Sequence, residues 1–278
     1  GVGVGPAASG AGAWAGCGRS FPVASVASPR PVDRLSHSPR DGLGLPPARR
    51  DGGMLIPPPA VLAGFASFAS PFSFAAAALL AGRSDAAWIA HTRRFALLAW
   101  ALQGTGLVLG MWWAYHVLGW GGYWGWDPVE NVALMPWLAT TAYLHSSQVQ
   151  ERRGRLRAWN FSLVILAFLL VVFGTFIVRS GVVPSVHTFA LSAIGPWFFG
   201  FLFVCIVFSI ALLALRAGAL ASVTRPAPTV SRESAFVLQN LLLIGVIAVV
   251  FWGTVLPMVS GLFGQERVVG VPYYERAA

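Results

Sequence analysis

Residues 120–131 read WGGYWGWDPVEN and connect two long, nearly uncharged apolar segments at 95–116 and 128–147. Trp112 and Trp113 lie just before this stretch, and Trp137 follows it. Aromatic side chains are enriched where helices leave a bilayer, but one or two of them would serve that purpose. The density seen here instead predicts a surface that binds a large, planar, apolar ligand.

The composition indicates an integral membrane protein. The 278 residues are 56% hydrophobic and only 10% charged, whereas soluble domains carry about 25% charged residues. A helix needs roughly 20 mostly apolar residues to cross a bilayer. Six segments meet or approach that length, namely 60–82, 95–116, 128–147, 158–178, 188–215 and 235–259. We therefore expect an all-α, polytopic transmembrane helical bundle with about six spans, the third being the weakest because Glu130 and Asn131 lie in its first turn.

The arginines predict the orientation of the bundle. All 19 basic residues are arginine. Ten of them lie on one side of the predicted membrane, in the segments 83–94, 146–157 and 216–233. Three lie on the other side, in 117–131, 179–187 and 260–278. Because arginine-rich loops stay in the cytoplasm, the tryptophan-rich loop is predicted to lie outside. The net charge of +9 then reflects topology, and we expect no nucleic-acid partner.

Residues 1–53 differ in composition from the rest of the chain. Gly, Ala, Pro, Ser and Arg dominate, and no apolar run is long enough for a span or a signal peptide. We therefore expect a disordered, low-complexity tail over 1–53 and a transmembrane domain over 54–278. The six arginines of the tail conflict with the outer location that six spans would give it. This conflict favours a tail that is not the native start, or further spans before it.

The third span has a recognisable helix start. Asp127 suits the N-cap, Pro128 the first helical position and Glu130 the third, an arrangement similar to a capping box. Capping alone explains both carboxylates. A role in keeping the adjacent loop rigid is compatible with capping.

Three histidines are candidate metal ligands. His187 lies at the outer mouth of the fifth span, where a neutral imidazole could ligate a metal held by the loop. His145 lies about 25 Å along the third span, too far to share one ligand with His187. His116 ends the second span beside the loop and could be a second outer ligand. Each also has a plainer interpretation: a hydrated histidine for His187, snorkelling for His145 and an interfacial anchor for His116.

Arg179 is the only basic residue of its outer segment. A single guanidinium beside a planar ligand would suit a carboxylate of that ligand. A snorkelling arginine at a helix end explains its position equally well.

Three strings resemble the tryptophan-rich (WWD) haem-handling family of cytochrome c maturation proteins. They are WGGYWGWDPVENVALMPWL at 120–138, GTFIVRSGVVPSVH at 174–187 and SRES at 231–234. The similarity runs from about residue 54 to the C-terminus and corresponds to a central part of a longer family chain. Members of the family have further spans on both sides of this part, and we expect the present chain to lack them.

The resemblance implies a haem-binding membrane subunit of the cytochrome c haem lyase. Such a subunit would receive haem b from a periplasmic haem chaperone and present it for thioether attachment to apocytochrome c, together with other maturation subunits. It would lie in the bacterial inner membrane with the tryptophan-rich loop on the periplasmic side. The cofactor-binding residues that we expect are Trp113, Trp120, Trp124, Trp126, Asp127, Glu130, Asn131, Trp137 and Arg179.

The resemblance also implies iron ligands. His187 matches the downstream outer ligand, and His145 matches one ligand of a second, buried haem. The upstream outer histidine of the family is replaced by Pro57 in the string LIPPPA at 55–60, and proline has no ligating atom. The partner of His145 would lie in a later span that this chain lacks. His116 is therefore a candidate substitute at the outer site.

Two other functions stay open at this point. The chain could be a non-enzymatic haem transporter or conduit, although we find no internal repeat typical of transporters. It could also be an inactive, truncated copy, because each expected iron site has lost one ligand. Lyase activity is thus an expectation that rests on the resemblance.

Overall fold

Every regular element in the described part of the chain is helical. The computed structural model describes residues 41, 44, 47–119, 121–183, 185, 194–221, 231–265 and 267–278. Within these ranges, two short 3₁₀ helices precede nine α-helices. The 3₁₀ helices are Pro47–Arg50 and Gly52–Met54, and the α-helices are α1 (Pro57–Ser67), α2 (Ala69–Leu80), α3 (Ala86–Val117), α4 (Pro128–Arg153), α5 (Arg157–Ser180), α6 (Gly195–Leu215), α7 (Ala217–Leu220), α8 (Arg232–Gly261) and α9 (Val271–Ala277). The predicted all-α fold is confirmed.

Five helical segments of the described chain are long and apolar enough to cross a membrane. They are Gly52–Leu80, Ala86–Val117, Arg157–Ser180, Gly195–Leu215 and Glu233–Gly261. They correspond to five of the six predicted spans, so the transmembrane helical bundle is confirmed. The sixth prediction, 128–147, corresponds to α4, which packs against α3, α5 and α8 and buries several polar side chains, namely Asn131, Thr140, Ser146, Ser147 and Gln150. Burial among helices lets a polar helix cross the bundle without exposing those groups to lipid.

Two segments that we predicted as loops are largely helical. In the segment 83–94, α3 already begins at Ala86, and Asp85 caps it by accepting a hydrogen bond from the Ala87 amide at 3.2 Å. In the segment 146–157, α4 continues to Arg153. An ion pair of 3.0 Å between Arg93 and Glu151 joins these two extensions. Charged side chains reach the aqueous boundary while the backbone beneath them stays helical.

Part of the segment predicted to be disordered has defined structure. Residues 47–54 form the two 3₁₀ helices, and Asp51 caps the second by accepting from the Gly53 amide at 2.7 Å. Here the structure differs from the prediction. Except for residues 41 and 44, the tail before residue 47 lies outside the described residues.

A buried polar network joins α4 to α5. The Asn160 amide donates to Gln150 Oε1 at 2.8 Å, and the Ser146 hydroxyl donates to Asn160 Oδ1. All three side chains are buried. Because an amide or hydroxyl shifted by one helical turn would lose these partners in an apolar interior, the network fixes the register of the two helices.

Glycines set the distance between α1 and α3. A Cβ on Gly106 would lie 2.5 Å from Val61 Cγ2 and 2.7 Å from the Val61 backbone nitrogen. A Cβ on Gly64 would lie 2.8 Å from the Gln103 backbone nitrogen. Small residues at such contacts let helices in a membrane approach closely and gain dispersion energy.

Arginines tie the helices together at one end of the bundle, which we call the arginine end (residues 81–85, 154–156 and 216–221). Glu233 is 5% exposed and accepts from Arg153 at 2.8 Å and from Arg155 at 2.9 Å. Arg216 donates to the carbonyl oxygens of Leu79 and Leu80, each at 2.7 Å. These contacts join α8 to the α4–α5 turn, and they cap α2.

We expect Gly106→Ala to lower the free energy of unfolding by about 1–3 kcal/mol, because the added methyl group forces α1 away from α3. The measurement is reversible unfolding in detergent, followed by circular dichroism. The matched control is Gly200→Ala in α6, whose Cβ would have no neighbour within 4 Å. That control should be neutral or stabilised by up to about 1 kcal/mol. A Gly106→Ala chain as stable as the wild type would contradict the close packing of α1 on α3.

Candidate functional site

The loop between α3 and α4, residues 118–127, is held by the first turn of α4. We call it the tryptophan loop, and all of it except Trp120 is described. Asp127 Oδ2 accepts from the Val129 amide at 3.0 Å, and Asp127 and Glu130 form the predicted capping box, each side chain accepting from the backbone amide of the other. Glu130 Oε2 accepts from the Asp127 amide at 3.2 Å and from the Gly125 amide at 2.9 Å. The Glu130 carboxylate therefore holds the loop as well as the helix start.

Trp126 has an unusual backbone conformation. Its φ of +52° lies in the left-handed region, which costs a bulky residue about 1 kcal/mol or more. The buried Asn131 amide compensates by donating to the Trp126 carbonyl at 3.2 Å. The same amide donates to Thr254 Oγ1 of α8 at 3.2 Å. Tertiary contacts thus impose a conformation that the loop would not favour alone.

The described indoles of the loop form a corner. The ring centroids of Trp124 and Trp126 are 6.0 Å apart and their planes are at 87°. Tyr123 stacks on Tyr115 of α3 at 4.3 Å and 9°. Trp124 Nε1 is buried and has no hydrogen-bond partner among the described residues. A planar ligand that stacked on one indole would therefore meet the edge of the other.

Two other predicted tryptophans lie inside the bundle. Trp113 is buried in α3. Trp137 stacks on Trp100 of α3 at 5.3 Å and 17°, and its Nε1 lies 2.8 Å from the position of a Cβ on Gly104. Trp120 lies outside the described residues. Of the five predicted tryptophans, the structure brings Trp124 and Trp126 together in the loop.

The second motif segment meets the tryptophan loop. The Ser185 hydroxyl donates to Asp127 Oδ2 at 2.6 Å, across 58 positions of sequence. Arg179 is exposed in the last turn of α5. His187 lies outside the described residues. The Ser185 contact therefore carries the structural link between the two motifs.

His116 is engaged at both ring nitrogens. Nδ1 lies 3.0 Å from the Trp112 carbonyl oxygen, and Nε2 lies 3.1 Å from Asp51 Oδ1. Both partners are acceptors, so this geometry fits an imidazole that carries a proton on each nitrogen. Such a ring has no lone pair for iron. In this arrangement, His116 anchors the 3₁₀ helix Gly52–Met54 to the end of α3.

His145 lies in a second polar region, toward the arginine end. Its Nδ1 is buried without a hydrogen-bond partner among the described residues, and its ring lies 5.8 Å from that of Phe236 at 16°. Asn240, one turn further along α8, is fully buried, and both its amide atoms also lack such a partner. Buried polar groups are rarely left unmatched in proteins. The region is therefore a candidate site separate from the loop.

Tyr274 of α9 belongs to the loop site, and our sequence reasoning missed it. Its ring stacks on Trp126 at 5.0 Å and 9°, and it is 4% exposed. Burial raises the pKa of the Tyr274 hydroxyl, while hydrogen bonding with Thr254 and Asn131 opposes the rise. The sequence signal that could have identified Tyr274 is the pair Tyr273 and Tyr274, which follows the last apolar run of a chain with five tyrosines in all.

No group of three or more His, Cys, Asp or Glu side chains that could hold a metal ion occurs in the described part of the chain. What the loop offers instead is aromatic surface, a buried N–H donor and two carboxylates committed to backbone amides. This chemistry suits stacking against a planar molecule. It does not suit a protein-built metal cage.

Comparisons with known proteins identify the family. The model of the family described as "Cytochrome C assembly protein" matches residues 19–183, so the similarity begins upstream of residue 54. The cytochrome c-type biogenesis protein CcmF of Haemophilus influenzae is 44% identical over 86% of this chain and 37% of its own. The protein ccl1 of Rhodobacter capsulatus, also a cytochrome c-type biogenesis protein, is 43% identical over 94% of this chain and 40% of its own.

A solved structure shows the same relationship. The cytochrome c haem lyase CcmF superimposes with a TM-score of 0.64 and 34% identity, covering 80% of this chain and 33% of that one. The present chain thus spans about two fifths of the length of the curated relatives that it matches. The family model covers the whole tryptophan loop and ends at residue 183, two residues before Ser185. The chain is an integral membrane protein that belongs to the CcmF family of cytochrome c assembly proteins.

Proposed function

We propose that this chain forms the haem-presenting part of a cytochrome c haem lyase. One observation carries the proposal: the hydrogen bond from Ser185 to Asp127 joins the two motif segments that the family resemblance assigns to haem. His187 follows Ser185 by two residues, and two residues of extended chain span at most about 7 Å. An imidazole that close to the tryptophan loop could reach the iron of a haem stacked there.

At the outer site, each residue has a distinct role. Trp124 and Trp126, with Trp120, supply the stacking surface, and His187 supplies the axial ligand. Arg179 is the donor for a haem propionate. Asp127, Glu130 and Asn131 hold the loop through the bonds described above.

His145 is the proposed ligand of a second, buried haem. The proposal rests on two buried groups that have no hydrogen-bond partner among the described residues. They are Nδ1 of His145, whose ring stacks on Phe236, and the side-chain amide of Asn240, one helical turn from Phe236. The iron of a haem bound in this region would provide a partner for the His145 imidazole. It would also place a redox centre toward the arginine end of the bundle, away from the tryptophan loop.

The outer haem is the substrate, and its vinyl groups and the thiols of apocytochrome c supply the reacting atoms. The protein contributes orientation: it stacks the ring, ligates the iron and keeps the loop in one conformation. No general acid or base of the chain is required.

The proposed setting is the bacterial inner membrane, with the tryptophan loop on the periplasmic side. The arginine contacts at the opposite end of the bundle, from Arg153, Arg155 and Arg216, support this orientation. Partners in this setting are a periplasmic haem chaperone, apocytochrome c and other maturation subunits.

A ligation assay tests the proposal and separates it from its alternatives. The purified chain in lipid vesicles receives reduced haem and an apocytochrome peptide with a Cys-x-x-Cys-His motif. We expect a thioether product, detected by mass spectrometry. Haem passing across the vesicle membrane without product would support a conduit. The absence of both product and haem flux would support an inactive copy.

We expect His187→Ala to lower the haem affinity of the outer site by at least about tenfold, because even residues that only orient a ligand change affinity by that factor. The measurement is a haemin titration followed at the Soret band, with haem content from the pyridine haemochrome. His91→Ala, which removes an exposed histidine at the other end of the bundle, is the control. Equal affinity in the His187→Ala and wild-type chains would exclude His187 as a ligand.

Pro57→His should raise haem retention. Pro57 is buried in the first turn of α1, and its Cβ lies 4.0 Å from the position of a Cβ on Gly110 of α3. An imidazole at residue 57 would restore the ligand type that the family resemblance predicts there. The measurement is haem per protein after purification, with Pro58→His as the neighbouring control. No gain in bound haem would show that the outer site is organised around other ligands.

A further inference from the structure

The chain folds back after α8 and buries a tyrosine against it. Tyr274 lies on α9, and a Cβ on Gly253 of α8 would be 2.6 Å from the Tyr274 hydroxyl oxygen and 2.7 Å from Cε1. Only glycine therefore leaves room for the ring. The neighbouring Tyr273 donates its hydroxyl to the Val249 carbonyl at 3.3 Å. Two tyrosines thus fasten α9 along one face of α8.

Tyr274 covers one face of Trp126. The two rings are nearly parallel, at 9°, with centroids 5.0 Å apart. Trp124 meets Trp126 edge to face at 87°. One face of the Trp126 indole is consequently occupied by the protein itself, so a planar ligand that stacks on Trp126 must use the opposite face.

Asn131 and Thr254 fix the backbone of Trp126. The fully buried Asn131 bonds the Trp126 carbonyl and Thr254, and Thr254 donates to the Val250 carbonyl at 2.8 Å. The side chains of Asn131 and Thr254 also lie within hydrogen-bonding reach of the Tyr274 hydroxyl. The tryptophan loop, α4, α8 and α9 therefore meet at one point, on a residue with a positive φ.

We propose that Tyr274 is a positioning residue of the haem site. Its ring stacks on one face of the Trp126 indole and leaves only the other face for stacking on a planar tetrapyrrole. The segment after α8 thereby sets the haem affinity of the tryptophan loop, which precedes it by almost 150 residues. This inference rests on the proposed function. It adds a residue outside the motifs that carry the family resemblance.

The test compares haemin affinity in four chains. Tyr274→Ala should raise the Kd by about three- to tenfold, the scale of a lost aromatic pair. Tyr274→Phe, which keeps the ring, should stay within about twofold of the wild type. Phe263→Ala is the control, because it removes an exposed ring from the segment between α8 and α9. The fourth chain is the wild type.

Near-UV circular dichroism of the haem-free chains provides a second readout. Tyr274→Ala should change the tryptophan signal, whereas Tyr274→Phe should preserve it. If Tyr274→Ala does not fold, Gly253→Ala displaces the ring instead and should weaken haemin binding to the same degree. Gly245→Ala, on the same helix with no neighbour within 4 Å, is its control.

The outcomes separate the two proposals. A wild-type chain that binds haemin together with a Tyr274→Ala chain of equal affinity overturns the role of Tyr274 alone. A lowered unfolding temperature with unchanged affinity also overturns it, because it shows a purely structural role. A wild-type chain that binds no haemin overturns both proposals.

Discussion

The carboxylates of Asp127 and Glu130 bind the backbone amides at the start of α4, and the arrangement of the loop end depends on these bonds. Glu130 reaches past the helix to Gly125, and Asp127 reaches across to Ser185. Glu130 belongs to α4 and Asp127 is its N-cap, and α4 packs against three other helices. The tryptophan loop is therefore attached to the core at several points, although it lies at a helix end, and it can present its indoles with little loss of entropy when a ligand binds.

The sequence predicted those features that depend on local chemistry. Apolar runs of sufficient length predicted the helices, because backbone groups in lipid must be satisfied within the segment. The order Asp127, Pro128 and Glu130 predicted the capping box that the structure shows. Helix ends were predicted less well. The ends of α3 and α4 at the arginine end extend beyond the apolar run, because hydropathy reports contact with lipid and a helix continues into water where caps and ion pairs such as Arg93–Glu151 stabilise it.

Features that depend on distant residues could not be predicted from local patterns. Trp137 was grouped with the loop because it is near in sequence, yet it packs on Trp100 within the bundle. Trp126 adopts a positive φ because Asn131 holds its carbonyl, a preference that tryptophan does not have by itself. Tyr274 reaches Trp126 only because α8 returns the chain to the same end of the bundle. Each of these contacts is specific, and each is seen only in the folded structure.

The polar character of α4 bears on how the protein enters its membrane. A helix with so many polar groups partitions poorly into lipid when it emerges alone from the translocon. Ser146 of α4 and its partner Asn160 of α5 lie on either side of the short turn between the two helices. Co-translational insertion of α4 and α5 as one helical hairpin would match these groups before they meet hydrocarbon. The strongly apolar α5 would then carry its polar neighbour, and with it the tryptophan loop, into place.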